Sequence, residues 1–305
     1  MRIVIAGGSG LLGTRLADAC AAEGHTVVIL TRGRGSHTPA GRERVDWTPD
    51  GESGSWAARI DGADAVINLA GESIAGKRWS AAQKQRILES RVLATRSLAT
   101  AIARAATPPR VFVSGSAVGY YGPRDDEPVT EITPAGSDFL ARVCVEWETE
   151  AQRAASARTR VVCIRTGLVL SLRGGALPQM LPPFRFGAGG PVGSGRQYWS
   201  WIHIDDWVEV ARWAITNGGV SDAINVTAPE PVSNAEFARA LGRAMHRPAF
   251  MPAPAFALRL LLGEMADGLL LSGQRAIPAK ATRLGFTFKY ARLDDALRAI
   301  FAAQA

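Results

Sequence analysis

A β-branched run, Ile3-Val4-Ile5-Ala6, opens onto Gly7-Gly8-Ser9-Gly10-Leu11-Leu12-Gly13, and the chain then takes up helical periodicity. This order of strand, tight turn and helix constrains the fold more than any other stretch, because it specifies the first half of a βαβ crossover. Its glycines have separate tasks. Gly7 can take a backbone conformation closed to side chains. Gly10 lets the chain approach a bulky anion, and Gly13 lets the new helix pack closely on the strand. The helix start presents free N–H groups and a positive dipole end, which suit a pyrophosphate. The spacing is Gly-x-x-Gly-x-x-Gly rather than the commoner Gly-x-Gly-x-x-Gly. A plain strand-to-helix turn is the competing reading; the flanking strand and helix favour the nucleotide.

The periodicity predicts a helix from Leu11 to about Glu23, with Leu12, Leu16, Ala19 and Cys20 on one face and Gly24 as its stop. A nearly all-apolar second strand follows at His25 to Leu30, as expected of a strand covered on both faces. It ends in Thr31-Arg32-Gly33-Arg34. A carboxylate at that strand end binds the ribose hydroxyls of NAD, whereas a basic residue pairs with the 2′-phosphate of NADP. Arg32 therefore reads as an NADP selector, with a plain surface arginine as the alternative. Further strands are expected at 44–47, at 65–71, at 111–114, within 160–170 and at 223–226. Helices are expected from a Ser80 cap to Ala106, from Phe139 to Ala155, and from an Asp205-Asp206 cap to Asn217. Alternating strands and helices imply an α/β fold, a doubly wound, mostly parallel sheet of the Rossmann type. Residues 1–170 and 205–228 are read as the nucleotide-binding domain. Residues 171–204, rich in Gly and Pro and loop-like, join 229–305 as a small, mostly helical lobe on the substrate side. The glycine-rich stretch 186–195 reads equally as a lid or as a rigid surface loop.

The net charge of +7 comes mostly from arginine, since only four lysines occur. No dense basic run accompanies it, so a nucleic-acid partner is not expected. Cys20, Cys144 and Cys163 are far apart and set in apolar context, which predicts reduced, buried thiols and a cytoplasmic protein. The four histidines do not cluster, so no metal site is expected. With the first strand read from residue 2, no signal peptide is expected. The apolar stretch from Phe250 to Leu262 is broken by Pro252, Pro254 and Arg259, so no membrane span is expected.

With Gly7-x-x-Gly10-x-x-Gly13 stand Asn68-Leu69-Ala70-Gly71-Glu72, Ser114-Gly115-Ser116-Ala117-Val118-Gly119-Tyr120-Tyr121-Gly122, Arg165-Thr166-Gly167 and Trp201-Ile202-His203-Ile204-Asp205-Asp206. The pairs Arg78-Trp79 and Ser90-Arg91, then Gly193-Ser194-Gly195 and Gly273-Gln274-Arg275-Ala276-Ile277-Pro278, extend the set. On these residues the chain resembles the extended short-chain dehydrogenases/reductases, and within them the atypical, SDR39U-like "epimerase family" branch that carries a C-terminal domain of unknown function. The resemblance runs the whole length. It implies NADP(H) as cofactor, an unidentified small-molecule substrate, and a cofactor-binding set of Gly7, Gly8, Ser9, Gly10, Leu11, Leu12, Gly13, Thr31, Arg32, Leu69, Ala70, Gly71, Arg91, Ser114 and Arg165. Arg165 is telling by itself, because an arginine inside an apolar strand needs a phosphate or carboxylate beside it.

The pattern breaks at the catalytic residues. Short-chain dehydrogenases commonly use Ser, Tyr and Lys, the last two as Tyr-x-x-x-Lys on one helix. No such motif occurs; at its place the chain reads Phe139-Leu140-Ala141-Arg142-Val143. Ser116 is the serine candidate and Tyr120 the substitute proton donor, with Tyr121 less well offset. The competing reading has both tyrosines merely walling the pocket. His203 is a proton shuttle or a buried structural hydrogen-bonder. Two function classes remain open: an NADP(H)-dependent oxidoreductase or sugar-epimerase-like enzyme with unusual acid–base residues, and a non-catalytic NADP(H)-binding sensor.

Overall fold

The computed structural model describes residues 1–33 and 42–302. Its centre is a seven-stranded parallel sheet built on β1 (Arg2–Ala6), β2 (Thr26–Thr31), β3 (Arg42–Asp46), β4 (Ala65–Asn68) and β5 (Val111–Ala117), with two further strands at Arg160–Thr166 and Asp222–Val226. From edge to edge the order is Asp222–Val226, Arg160–Thr166, β5, β4, β1, β2, β3. The chain thus winds outward in two directions from β1, and the crevice between its neighbours β2 and β4 opens at the strands' carboxyl ends.

The two faces follow from the two-residue period of the strands. Ile3, Ile5, Val27, Ile29, Ile67 and Val113 point to one side, against α1 (Leu11–Ala22) and α5 (Ile204–Thr216). Val4, Val28, Leu30, Val66 and Phe112 point to the other, against α2 (Ala81–Arg104) and α3 (Phe139–Gln152). Each fully buried aliphatic side chain contributes about 1.5–3 kcal/mol, so this double layer dominates stability. The α/β expectation holds, and no helix among the described residues is long and apolar enough to cross a membrane. Cys20, Cys144 and Cys163 are free and buried; desolvation pushes the Cys20 thiol up to about 11 and Cys144 up to about 12.

Several local expectations are corrected. The fourth strand stops at Asn68 rather than Gly71, because the Asn68 Oδ1 accepts the Ala70 N–H (3.1 Å) and turns the backbone out of the ladder. Helix α5 is capped by His203, whose Nδ1 accepts the Asp205 N–H at 3.1 Å; Asp205 and Asp206 lie inside the first turn. The Asp206 carboxylate instead accepts the N–H groups of Lys289 and Tyr290, both at 2.9 Å, and anchors the C-terminal segment. Residues 171–204 are not all loop. Helix α4 (Leu177–Arg185) forms there despite Pro182 and Pro183, because Leu177, Leu181 and Phe184 bury one face while the prolines stay exposed. Ser80 caps α2 as read, accepting from the Gln83 N–H.

Residues of 170–201 and 228–301 share an apolar cluster of their own, in which α4 packs near α6 (Asn234–Met245) and α6 packs on the helix Leu293–Ala302. The glycine-rich stretch is tied down along its length. Met251 N–H donates to the Gly189 carbonyl, Ala253 N–H to Pro191, Gly193 N–H to Ala253, and Val192 N–H to Asn234 Oδ1. This is the rigid-loop arrangement rather than a free lid.

Candidate nucleotide site and buried polar relay

The glycine turn is held by Gly10 N–H to the Gly7 carbonyl (3.1 Å) and Thr14 Oγ1 to the Gly8 carbonyl (3.1 Å). Gly7 takes a φ of +78°, and a Cβ there would lie 2.6 Å from the Leu69 carbonyl carbon, so β4's exit presses directly on the turn. A Cβ on Gly13 would lie 2.3 Å from the Gly7 oxygen. We therefore expect Gly13→Val to cost about 1–3 kcal/mol or more through overpacking, measured as a lowered Tm with loss of any nucleotide-induced shift. Gly10 has no backbone or side-chain obstruction closer than 3.5 Å, and as N-cap of α1 it supplies no side-chain acceptor. Nor does an acidic residue stand in the first turn. The N–H groups at Leu11 and Leu12 thus remain open to an anion.

Other members of the expected cofactor set gather around this turn. Thr31 is buried and Arg32 exposed at the carboxyl end of β2, while Arg34 lies outside the described residues. Leu69, Ala70 and Gly71 form the exit of β4. Arg91 sits over them from α2, its Cζ 3.2 Å from where a Gly71 Cβ would stand. Thr95 fixes that part of α2 on the strand end, accepting from Asn68 Nδ2 (2.8 Å) and donating to the Arg91 carbonyl (2.7 Å). Burial pushes the Arg91 pKa below the ordinary arginine value, with weaker opposing influences from Cys144 and Glu72. Among the described residues the one hydrogen bond of its side chain is Nη1 to the Ile87 carbonyl, and no carboxylate forms an ion pair with it. Its guanidinium lies over the Trp147 ring at 5.2 Å, and the Trp147 Nε1 is buried without a partner. A cation without a carboxylate at the β4 exit, which presses on the glycine turn, is suited to an anion. Ser114 is fully buried, with its Oγ turned to the Gly115 carbonyl at 3.2 Å, and presents no surface to this space.

Ser116 and Arg165 are register partners on adjacent parallel strands. Between them reaches Glu148 of α3. Ser116 Oγ donates to Glu148 Oε1 at 2.6 Å, and Arg165 grips the same carboxylate with Nε on Oε1 and Nη2 on Oε2, both at 2.8 Å. Arg165 Nη1 donates to Tyr121 Oη (3.0 Å) and to the Glu131 carbonyl (3.3 Å). Tyr121 in turn donates to Asn225 Oδ1 at 2.6 Å, and Asn225 Nδ2 to the Ile277 carbonyl at 2.9 Å. Burial works against the Arg165 charge, but the Glu148 and Tyr121 contacts outweigh it and hold its pKa above the ordinary value. Burial raises Tyr121 to about 12, against the opposing pull of Arg165. The partner that Arg165 needed is thus a carboxylate of the fold, Glu148.

Tyr120 lays its ring over the Arg165 guanidinium, 3.4 Å from Cζ to centroid, and meets Tyr121 edge-on. Phe139 and Val143, at the place of the absent Tyr-x-x-x-Lys, belong to an apolar cluster with Trp79, Ile87 and Met265. His203 is buried against Tyr290 with ring centroids 4.0 Å apart, and desolvation lowers its pKa despite Asp205 and Asp206. With Nδ1 occupied as the α5 cap, it is a structural hydrogen-bonder. Glu148 escaped the sequence reading. The signal was present, because a strand arginine requires an acid. But α3 offers Glu146, Glu148 and Glu150, and only packing shows which faces β5.

Comparison with known proteins agrees with this architecture. The model of the NAD dependent epimerase/dehydratase family matches residues 3–227, and a domain of unknown function, DUF1731, matches 253–300. An epimerase family protein of Mycobacterium leprae is 44% identical over 97% of this chain and 94% of its own length. The Arabidopsis thaliana chloroplastic SDR39U1 homolog is 41% identical over 98% of this chain and 86% of its own. The crystal structure of human epimerase family protein SDR39U1 (isoform 2) with NADPH superposes with a TM-score of 0.90 at 36% identity, covering 99% of both chains. From its first crossover to its C-terminal helices, this chain belongs to the NAD dependent epimerase/dehydratase family, as an SDR39U1-like member with a DUF1731 region.

Proposed function

We propose that this protein binds NADP(H) over the first crossover and uses it for hydride transfer to or from a small carbonyl or alcohol substrate, as an oxidoreductase or sugar-epimerase-like enzyme. The observation that carries the reading is Arg91, a half-buried guanidinium that pairs with no carboxylate among the described residues and sits at the β4 exit, which itself presses on the glycine turn. Gly7 to Gly13 cradle the pyrophosphate, with Arg91 beside it. Leu69, Ala70 and Gly71 border the ribose and ring. Arg32 pairs with the 2′-phosphate. The human SDR39U1 crystallised with NADPH supports the coenzyme choice. Bound coenzyme supplies the hydride chemistry; the chain supplies orientation and the proton. Residues 171–204 and 229–305 cover the substrate side, and Ser116 and Tyr120 are the polar groups nearest the reacting carbon. Arg165 serves the site by holding Glu148 under Ser116.

The test is a screen of ketones, aldehydes and quinones with NADPH, followed by Ser116→Ala and Tyr120→Phe. Each variant is expected to lower kcat, Ser116→Ala by roughly 10²-fold, with NADPH affinity within about threefold of wild type. Equal rates in wild type and both variants would contradict the assignment. A second reading, coenzyme binding without turnover, is favoured by Phe139 and Val143, which put apolar side chains where the family's proton donor and its lysine commonly stand. It predicts NADPH binding with no oxidation of any compound screened.

A further inference from the structure

Ser116 has one hydroxyl proton, and its hydrogen bonds show where that proton goes. Glu148 sits in the two-point fork of Arg165, with side chains only 12% and 5% exposed. A carboxylate held this way accepts and does not donate. The 2.6 Å contact therefore consumes the Ser116 proton. Cys144 also lies within reach of Ser116, but its own thiol proton goes to the Ala117 carbonyl at 3.7 Å, and the Ser116 contact to Glu148 is far shorter. What Ser116 Oγ has left for a ligand is lone pairs. A serine meant to position a carbonyl must donate; this one can only accept.

We propose that Ser116 and Glu148 form a two-step proton acceptor for a ligand hydroxyl, so that the compound taken at this site is a secondary alcohol. The inference rests on the oxidoreductase reading above. The alcohol gives its C–H hydrogen as hydride to NADP⁺. Its O–H proton passes to Ser116 Oγ as the Ser116 proton passes to Glu148 Oε1. A ketone, NADPH and a protonated Glu148 result, and the return reaction reverses each transfer. Arg165 orients the carboxylate through its two-point fork while the alcohol binds. Tyr120, whose ring lies over Arg165, is the rival among the neighbouring hydroxyls, and the Tyr120→Phe variant above tests it; the others offer no equal route. Tyr121 is committed to Asn225 and Arg165, and the positions of the absent Tyr and Lys are apolar. Glu148 acts through Ser116 and touches no substrate, so it is a positioning and proton-storing residue.

Two measurements test this on the full chain. In the first, protein is made by cell-free synthesis with [5-¹³C]glutamate, and the Glu148 carboxyl resonance is assigned by its loss in Glu148→Gln. At neutral pH it should lie at the ionised position and move in Ser116→Ala, which removes the donated bond but leaves the ion pair intact. A protonated Glu148, or a resonance unmoved by Ser116→Ala, overturns the relay whatever the activity. The second measurement uses NADP⁺ with cyclohexanol and NADPH with cyclohexanone and 9,10-phenanthrenequinone as probes. Glu148→Gln should lower kcat roughly 10²-fold with KM within about threefold, and Glu148→Asp should restore part of the rate. Should Glu148→Gln not fold, Ser116→Ala carries the same expectation. Turnover unchanged in both Glu148→Gln and Ser116→Ala overturns the relay and leaves the oxidoreductase reading standing. No turnover of any probe by wild type, with NADPH bound, overturns that reading and the relay with it.

Discussion

Replacing Arg165 with alanine lowers the stability of this protein by about 3–5 kcal/mol, read as a fall of roughly 5–8 °C in Tm for a chain of this length. The size follows from what is left behind. Glu148 would remain almost fully buried with its two strongest donors gone, and Tyr121 Oη would lose the Arg165 N–H. An uncompensated buried charge costs far more than the intact pair contributes. Removing both charges should therefore do less harm, and Arg165→Met combined with Glu148→Leu is expected to be more stable than Arg165→Ala alone. A Tm for Arg165→Ala within about 1 °C of wild type would mean that the Ser116–Glu148–Arg165 set is not closed as described.

Arg32→Glu is expected to weaken NADPH binding roughly 10²-fold while leaving NADH within about threefold or tightening it. A charge-assisted hydrogen bond contributes about 1.5–3 kcal/mol, and the new carboxylate adds repulsion against the 2′-phosphate. A carboxylate at the same strand end is also the group that takes both ribose hydroxyls of NADH. Because Arg32 is exposed at the end of β2, the substitution should leave Tm unchanged. Equal loss for both coenzymes, measured by titration calorimetry, would remove Arg32 from the selector role.

The sheet was legible because its strands carry their burial in the sequence. Ile3 and Ile5 alternate with Val4, and the two sets go to opposite faces. The glycine turn was legible because Gly7 and Gly13 occupy places where any side chain collides with backbone. The boundaries that failed were decided by side chains competing with the expected pattern. Asn68 pulls its own backbone out of β4, and His203 takes the cap position ahead of two aspartates better suited to it by type. Helix α4 failed for a related reason: the packing of Leu177, Leu181 and Phe184 outweighs the hydrogen bonds that Pro182 and Pro183 forgo. In the candidate site, the chemical need of Arg165 for an acid could be read from its apolar strand, but the identity of that acid could not. Glu148 lies 17 residues away on a different element, and it is the crossing of α3 over β5 that turns it, rather than Glu146 or Glu150, toward Ser116.

On the reading proposed above, a dinucleotide carrying a 2′-phosphate docks on the N-terminus of α1, with Arg32 and Arg91 as its cations. Calorimetric titration of the purified full chain with NADPH and with NADH tests it most directly. NADPH should bind saturably, one to one and at least about tenfold tighter than NADH. No saturable binding of NADPH, or tighter binding of NADH, would contradict it.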